Sequence, residues 1–274
     1  MKKHLSTYLL ILLFLAGVSL LLYPTVSNYW NTMHASAAVT AYAQQVQGLD
    51  ERQYDAILSA ARDYNRSLVN RENSYVLSPD QQTQYESLLD LDGTGVMGYI
   101  EIPRIDVSLP IYHGTADSVL QVAVGHLEWT SLPVGGAGTH CVLSGHRGLP
   151  SAKLFTNLDQ LVEGDTFVIR VLDEVLTYEV DRILIVEPDD VSALQIEPGK
   201  DLCTLVTCTP YGINSHRLLV RGHRVETVEE RAPVRVSSDA AYLNRNAVAL
   251  CLAAPVLVVL LLVAILKQPR KRSK

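Results

Sequence analysis

The stretch TLVTCTPYG, residues 204–212, joins a β-rich run to a turn. Threonine and valine favour strands, and Pro-Tyr-Gly is typical of a turn, so the stretch predicts a strand that ends at Cys208. Arg217 begins the next apolar run after an eight-residue loop, and a hairpin would place Arg217 opposite Cys208. Three roles remain open for Cys208: a buried structural thiol, half of a disulfide, or a nucleophile.

The chain around this hairpin shows the same β pattern. From Met97 onward apolar residues alternate with polar or small ones, as in half-buried strands. Further predicted strands are His140–Ser144, Thr166–Leu172, Val175–Val186, Cys203–Cys208 and Arg217–Val225. Many short strands separated by turns, with few helices, indicate a mainly β domain that forms a closed barrel or a sandwich.

The part before the β domain is predicted to be helical. Apolar residues recur at helical spacing over residues 35–69, and Asp50 with Gln53 forms a plausible capping pair. Residues 70–96 are polar and contain turn signals, which predicts a surface segment with a short helix near Tyr85 to Leu89.

Two uncharged runs, residues 5–22 and 247–266, are each long enough to cross a bilayer as a helix. Basic residues lie outside both runs and favour a cytoplasmic location for both termini. The first run also fits a cleaved signal, but no small-x-small site directly follows it, so we expect an uncleaved anchor.

The expected topology is a two-pass cell-membrane protein with an extracellular domain. Its segments are a tail (1–4), an anchor (5–22), a helical and lid-like segment (23–96), the β domain (97–225), a stalk (226–246), a second membrane helix (247–266) and a basic tail (267–274).

Charge and cysteine content narrow the function classes. Seven of the 23 Lys and Arg residues lie in the two tails, which leaves 16 against 29 acidic residues outside the membrane, a net charge of −13. Such an acidic domain is not expected to bind nucleic acid. Cys141, Cys203 and Cys208 lie in that domain, so either one pair and one free thiol or three free thiols are expected, while Cys251 lies in the second membrane run. No Cys-x-x-Cys or His-x-x-x-His pair is present, so no metal site is expected.

A nucleophilic cysteine needs a proton carrier for the leaving group, and histidine fits this role best. His146 is the preferred candidate, because it lies in the glycine-flanked loop Gly145–Gly148 directly after a predicted strand. Loops at strand ends often carry catalytic groups. His126 is its nearest rival. Arg217 could favour the thiolate or hold an oxyanion. Cys141 and Cys203 are expected to be core thiols.

Several ordered motifs resemble the sortase family. The cysteine and histidine segments of the family are matched by Thr204–Gly212 with Arg217 and by Ser144–Pro150 around His146. More specifically, class C, pilus-building sortases are resembled by Gly98–Pro103, Leu109–Gly114 and Thr130–Pro133. The resemblance covers roughly residues 50–225. The resemblance implies an eight-stranded β-barrel cysteine transpeptidase. In it Cys208 attacks the Thr–Gly bond of an LPXTG-like sorting signal on a pilin, and His146 acts as general acid and then base.

By the same resemblance Arg217 stabilises the oxyanion or positions the signal, and a pilin lysine resolves the thioester to an isopeptide bond. No cofactor is expected. Candidate substrate-binding residues are Thr207, Leu205 and Ser144.

One segment departs from the family pattern. Class C sortases usually carry a lid with an Asp-Pro-aromatic motif, but this chain has Leu77-Ser78-Pro79-Asp80, with Tyr75 nearby. Ser78, Pro79 and Tyr75 are therefore lid candidates, and we expect a segment that covers the site weakly or leaves it open. Trp129, before Thr130, is a second departure.

Two other functions are weighed against a transpeptidase. A non-catalytic extracellular β-barrel that serves in binding or adhesion would tolerate replacement of Cys208, His146 and Arg217. A papain-like protease is disfavoured, because the chain lacks the Cys-Gly-Ser-Cys-Trp surroundings and its candidate cysteine follows the histidine.

Overall fold

The structure is a computed structural model that describes residues 2–69, 75–227 and 259. The predicted stalk beyond residue 227, the second membrane run apart from residue 259, Cys251 and the basic tail lie outside the described residues.

Within the described ranges, eight strands form one closed barrel. Their bounds are β1 (Val96–Ile102), β2 (Val107–His113), β3 (Val124–His126), β4 (Thr139–Ser144), β5 (Thr166–Val171), β6 (Glu174–Val186), β7 (Asp201–Thr209) and β8 (His216–Arg224). The order around the barrel is β1-β2-β3-β4-β7-β8-β6-β5. The β2–β3 and β4–β7 pairs are parallel and the others antiparallel. The predicted eight-stranded barrel is confirmed, and closure leaves no unpaired strand edge.

The barrel interior is filled by large apolar side chains from alternate strand positions. The fully buried ones include Ile100, Ile111, Leu143, Phe167, Leu205 and Val220. The alternation explains why the strands were visible in the sequence, because each inward residue is followed by one that faces outward.

Two long helices precede the barrel, α1 (Lys2–Gln47) and α2 (Glu51–Leu68). The single helix predicted over residues 35–69 is wrong at one point, because it breaks between Gln47 and Glu51. Asp50 caps α2 by accepting a hydrogen bond from the Gln53 N–H, and the Gln53 side chain accepts from the Asp50 N–H. The predicted capping pair is therefore confirmed, and it starts a second helix.

Shorter helices connect these elements. They are α3 (Pro79–Ser87), α4 (Asp117–Leu120) and the 3-10 turns Pro103–Ile105, Leu158–Gln160 and Ser192–Leu194. Tyr85 of α3 is fully buried on the barrel, which fixes α3 beside β3 through the Tyr85–His126 hydrogen bond.

Helix α1 lies along β1 and β2 and is bound to the barrel by polar contacts. The Tyr42 hydroxyl donates to the Met97 carbonyl (3.0 Å) and accepts from the Leu172 N–H (2.8 Å). Among the described residues, one helix, over Tyr8–Gln47, is long and apolar enough to cross a membrane. The predicted anchor at 5–22 is thus the first part of a helix that continues onto the barrel, through Pro24.

Candidate active site

Cys208 and Arg217 occupy directly opposed positions on antiparallel strands β7 and β8, as the sequence predicted. Cys203 and Leu205 point into the barrel core, so alternation turns Cys208 outward. Cys208 is half-buried. Its outward side lies on the same face as Val206, which belongs to an apolar cluster on the outside of the barrel.

His146 reaches the same place from the parallel neighbour β4. Ser144 pairs with Val206 in the last register position, so His146 lies at the level of Cys208, two residues further along each strand. The Gly145 N–H donates to the Val206 carbonyl (3.0 Å), and the Thr207 hydroxyl donates to the Gly145 carbonyl (2.8 Å). These bonds extend the pairing past the end of β4 and bring the candidate nucleophile and proton carrier together.

Gly145 is required where this loop turns. A Cβ at this position would lie 2.7 Å from the ring of Phe155, which is fully buried. The close packing of backbone on ring fixes the start of the His146 loop.

Arg147 ties the His146 loop to the chain that follows Cys208, and the sequence reasoning did not single it out. Its side chain is 9% exposed, and its guanidinium pairs with Asp159 and has Nη1 3.5 Å from the Thr209 hydroxyl. It also lies 5.9 Å above the centre of the Tyr211 ring. The only sequence signal was its place directly after His146.

A family model, described as a sortase domain, matches residues 100–225. The fold and sequence also match sortase C1 of Streptococcus agalactiae, with 50% identity over 70% of this chain and 99% of that chain, at a TM-score of 0.68. The chain belongs to the sortase family.

Further solved structures support a class C sortase. Sortase C of Streptococcus pneumoniae is 42% identical over 72% of this chain and all of that one, with a TM-score of 0.64. A Clostridium perfringens sortase C, solved with a C-terminal cell wall sorting motif, is 41% identical over 70% of this chain and 99% of that one, with a TM-score of 0.62.

Among curated proteins, the sortase is 33% identical to sortase D of Bacillus subtilis and 30% identical to sortase A of Streptococcus agalactiae. These matches cover 47% and 50% of this chain, and they span 63% and 58% of the two relatives. Sortases are cysteine transpeptidases, so the chain belongs to a family of enzymes.

The other candidate histidines of the sortase are held by structural bonds. His126, the nearest rival, is fully buried, with Nδ1 2.9 Å from the Tyr85 hydroxyl and Nε2 2.8 Å from the Ser131 carbonyl. His140 lies between the Gln195 carbonyl and the Thr204 hydroxyl. Burial lowers the pKa of His140. Both rings are buried, so neither is exposed to a substrate beside Cys208.

The remaining described cysteines are free core thiols, as predicted. Cys141 and Cys203 are register partners on β4 and β7, and both are buried. Burial raises the pKa of Cys203, which keeps this thiol protonated and unreactive. With Cys208, this makes three free thiols over the described residues, one of the two arrangements that the sequence left open. The same ranges contain no group of three or more metal-ligating side chains.

Two of the three predicted substrate-binding residues are not available to a substrate. Leu205 is fully buried in the core, and Thr207 is buried and bonded to Gly145. Both lie on the inward side of β7, so these two predictions are corrected. Ser144 is half-buried on the outward side of β4 and stays a candidate.

An apolar cluster lies on the outer face of the sheet that carries Cys208. Its buried members are Val142, Leu219 and Leu194, with Trp129, Leu184, Val186, Val191, Ala193 and Val206 packed around them. The loop after β6 contributes Val191, Ala193 and Leu194 to this outer apolar cluster. Glu197 in this loop accepts from Arg221 Nη1 (2.8 Å), and Asp181 accepts from the same guanidinium at 2.8–2.9 Å, which holds the loop to β6 and β8.

The lid candidates divide into two groups. Ser78 and Pro79 are exposed and begin α3, with Ser78 as its N-cap. Tyr75 instead reaches the outer apolar cluster: its ring packs edge-on against Trp129 at 4.9 Å, and its hydroxyl accepts from Gln195 Nε2 (3.3 Å). The lid candidate Tyr75 is therefore in contact with Trp129, the second departure from the family pattern.

Proposed function

We propose that this sortase is a membrane-anchored transpeptidase that cleaves an LPXTG-like sorting signal between Thr and Gly and transfers the acyl part to a lysine amine. The observation that carries the proposal is the strand register, which opposes Arg217 to Cys208 and, continued two residues past the Ser144–Val206 pair, reaches the level of His146. These three side-chain types supply a nucleophile, a proton carrier and a cation, which acyl transfer through a thioester requires.

In the first half-reaction the Cys208 sulfur attacks the threonine carbonyl as thiolate. The carbonyl oxygen becomes an oxyanion, and Arg217 faces it from the opposed strand. Arg217 Nη1 already donates to the Asn214 and His216 carbonyls (3.4 and 3.2 Å), which holds the guanidinium in place. A guanidinium has five N–H donors, more than these bonds use. His146 then protonates the leaving glycine amine, and the thioester forms.

In the second half-reaction a lysine amine attacks the thioester. His146 accepts the amine proton, the Cys208 sulfur leaves, and an isopeptide bond forms. Water in place of the amine would give hydrolysis. All steps use groups of this chain and the two substrates, so the proposed mechanism needs no cofactor.

The proposed substrates are pilins or other surface proteins with LPXTG-like signals, which the enzyme polymerises or attaches. The Clostridium perfringens relative solved with a sorting motif and the class C likeness support this substrate class. The partly exposed members of the outer apolar cluster, among them Val186 and Val206, offer a surface for the apolar part of such a signal. The exposed apolar first half of α1 supports the membrane anchor, and the two-pass topology with an extracellular barrel remains the expected one.

The experiment uses the full chain in detergent with an LPXTG-like peptide and a primary amine. We expect mass spectrometry to detect the threonine thioester on Cys208 and the peptide–amine product. The Cys208→Ala variant should form neither. The matched control is Cys203→Ala, which removes a buried thiol five residues earlier on the same strand. If wild type and Cys208→Ala give the same products, the proposal is wrong.

A further inference from the structure

One helix connects the proposed membrane anchor to the barrel. In α1, Tyr23 is 55% exposed and Trp30 is 63% exposed, and both follow the apolar run. Tyrosine and tryptophan side chains concentrate at the membrane–water interface. The two residues are seven positions apart and share a helix face, about 10 Å apart along the axis, so they mark the level of the interface.

The segment after His146 is bound to α1 at this level. Asn28 Oδ1 accepts from the Lys153 N–H (2.8 Å), and Asn31 Nδ2 donates to the Ser151 carbonyl (2.9 Å). Asn28 lies between Tyr23 and Trp30 in the helix. The loop that carries His146 therefore lies beside the interfacial part of α1.

The loop after Cys208 reaches the same level. An open groove of about 730 Å³ is lined by Pro24 and Thr25 of α1 and, on its other side, by Gly148 and Tyr211. Pro24 and Thr25 follow the apolar run, with Tyr23 between. The catalytic end of the barrel is thus the end that lies next to the membrane exit of α1.

The β7–β8 loop presents apolar side chains there. Tyr211 is 61% exposed and Ile213 is 72% exposed. Each would be costly to leave in water but suits the headgroup region, where apolar side chains are buried shallowly.

The charge of this rim differs from that of the rest of the domain. Residues 144–156 and 204–217 contain Arg147, Lys153 and Arg217 and no acidic residue, although the predicted extracellular part carries a net −13. Asp159 and Glu187 approach from neighbouring segments, paired with Arg147 and His216, and Asp106 lines a small pocket together with Lys153. A basic and apolar rim on an acidic domain fits the anionic headgroups of a bilayer.

We propose that the rim formed by Lys153, Tyr211 and Ile213 rests on the membrane surface, so that Cys208 works at the level of the lipid headgroups. The proposal rests on the anchor role of α1 proposed above. The partner is the bilayer itself. The apolar run of α1 ends just before Tyr23, and Asn28, which binds the segment after His146, lies only about 7 Å beyond Tyr23 along the helix axis.

The test is tryptophan quenching by brominated phospholipids, with the full chain in nanodiscs that contain an anionic lipid. The chain has two tryptophans, and Trp30→Phe with Trp129→Phe removes both. Ile213→Trp and, separately, Tyr211→Trp then place one probe in the rim. Gln44→Trp is the matched control, because Gln44 is exposed on α1 about 30 Å beyond Tyr23. A further variant, Trp129→Phe alone, keeps Trp30 as a probe of the anchor.

We expect brominated lipids to reduce the emission of both rim probes and of Trp30, and to leave the Gln44→Trp variant unchanged. Quenching of Trp30 without quenching of either rim probe would overturn the proposal while the anchor stands. If Trp30 is not quenched, α1 does not insert, and both the anchor and the rim contact are wrong. Thermal unfolding shows whether each variant is folded. If one rim variant is unfolded, the quenching of the other rim variant tests the proposal.

Discussion

The hydroxyl of Thr207 donates a hydrogen bond to the carbonyl of Gly145, and each residue directly precedes a proposed catalytic one, Cys208 or His146. The bond therefore joins the two strands that carry the nucleophile and the proton carrier. Thr207 acts on the reaction through position, because its side chain points into the barrel and is buried.

Replacing Thr207 by valine should lower kcat with little change in KM. Valine keeps the shape but leaves the Gly145 carbonyl without this donor, which costs about 1–3 kcal/mol for a buried group. A distortion worth about 1.4 kcal/mol in the barrier would slow turnover about tenfold. Thr207→Ser keeps the donor and should retain most activity. Wild-type kcat for Thr207→Val in the peptide–amine assay would contradict the positioning role.

Arg217→Ala should reduce kcat by about 10²–10³, the usual effect of removing one oxyanion donor. Arg217→Lys keeps the charge but not the planar fork, so it should recover only part of the activity. Steady-state kinetics separates the two proposed roles of Arg217. A rise in KM alone would mean that Arg217 positions the sorting signal and does not stabilise the oxyanion.

Tyr75→Ala should increase peptide turnover severalfold, because it removes the ring that packs on Trp129 and covers part of the outer apolar cluster. Tyr75→Phe is the control, since it keeps the ring contact and loses only the bond to Gln195. We expect its rate to stay near that of the wild type. If Tyr75→Ala is no faster than Tyr75→Phe, Tyr75 does not limit access of the peptide to the outer apolar cluster.

The stability of the sortase should fall as the pH drops below about 6.5. Burial lowers the pKa of His140 and His113 in the folded state. The unfolded chain therefore binds more protons in this range, and stability is lost by at most about 1.4 kcal/mol per pH unit for each histidine. Urea unfolding of the detergent-solubilised chain at several pH values measures this slope. His140→Asn should make the slope shallower, and an unchanged slope would exclude His140 as a cause.

The barrel and the positions of Cys208, Arg217 and His146 were predictable because they follow from local patterns. Alternation marked the strands, and the loop between Cys208 and Arg217 fixed their register. The level of His146 depends on the parallel β4–β7 pairing, which no local pattern encodes. Its glycine-flanked loop still pointed to it, because catalytic groups are often presented at strand ends.

Other features depend on contacts between distant segments and were not visible in the sequence. The contact of Tyr75 with Trp129 joins residues 54 positions apart. The sequence motif around Cys208 includes Leu205, which is predicted as a substrate contact, yet alternation places its side chain in the core. Helix α1 continues through a Pro- and Asn-containing stretch of weak helix propensity. There Asn28 and Asn31 form hydrogen bonds to the barrel domain, and these tertiary contacts offset the weak helix propensity.

The parallel pairing of β4 with β7 also bears on the order of folding. Ser144 and Val206 are neighbours in the sheet but 62 residues apart in the chain. Contacts of such long sequence separation form slowly, because loop closure must precede them. Cys208 therefore meets His146 only when the barrel closes. A partly folded chain would carry a nucleophile without its proton carrier, so activity would begin with the completed fold.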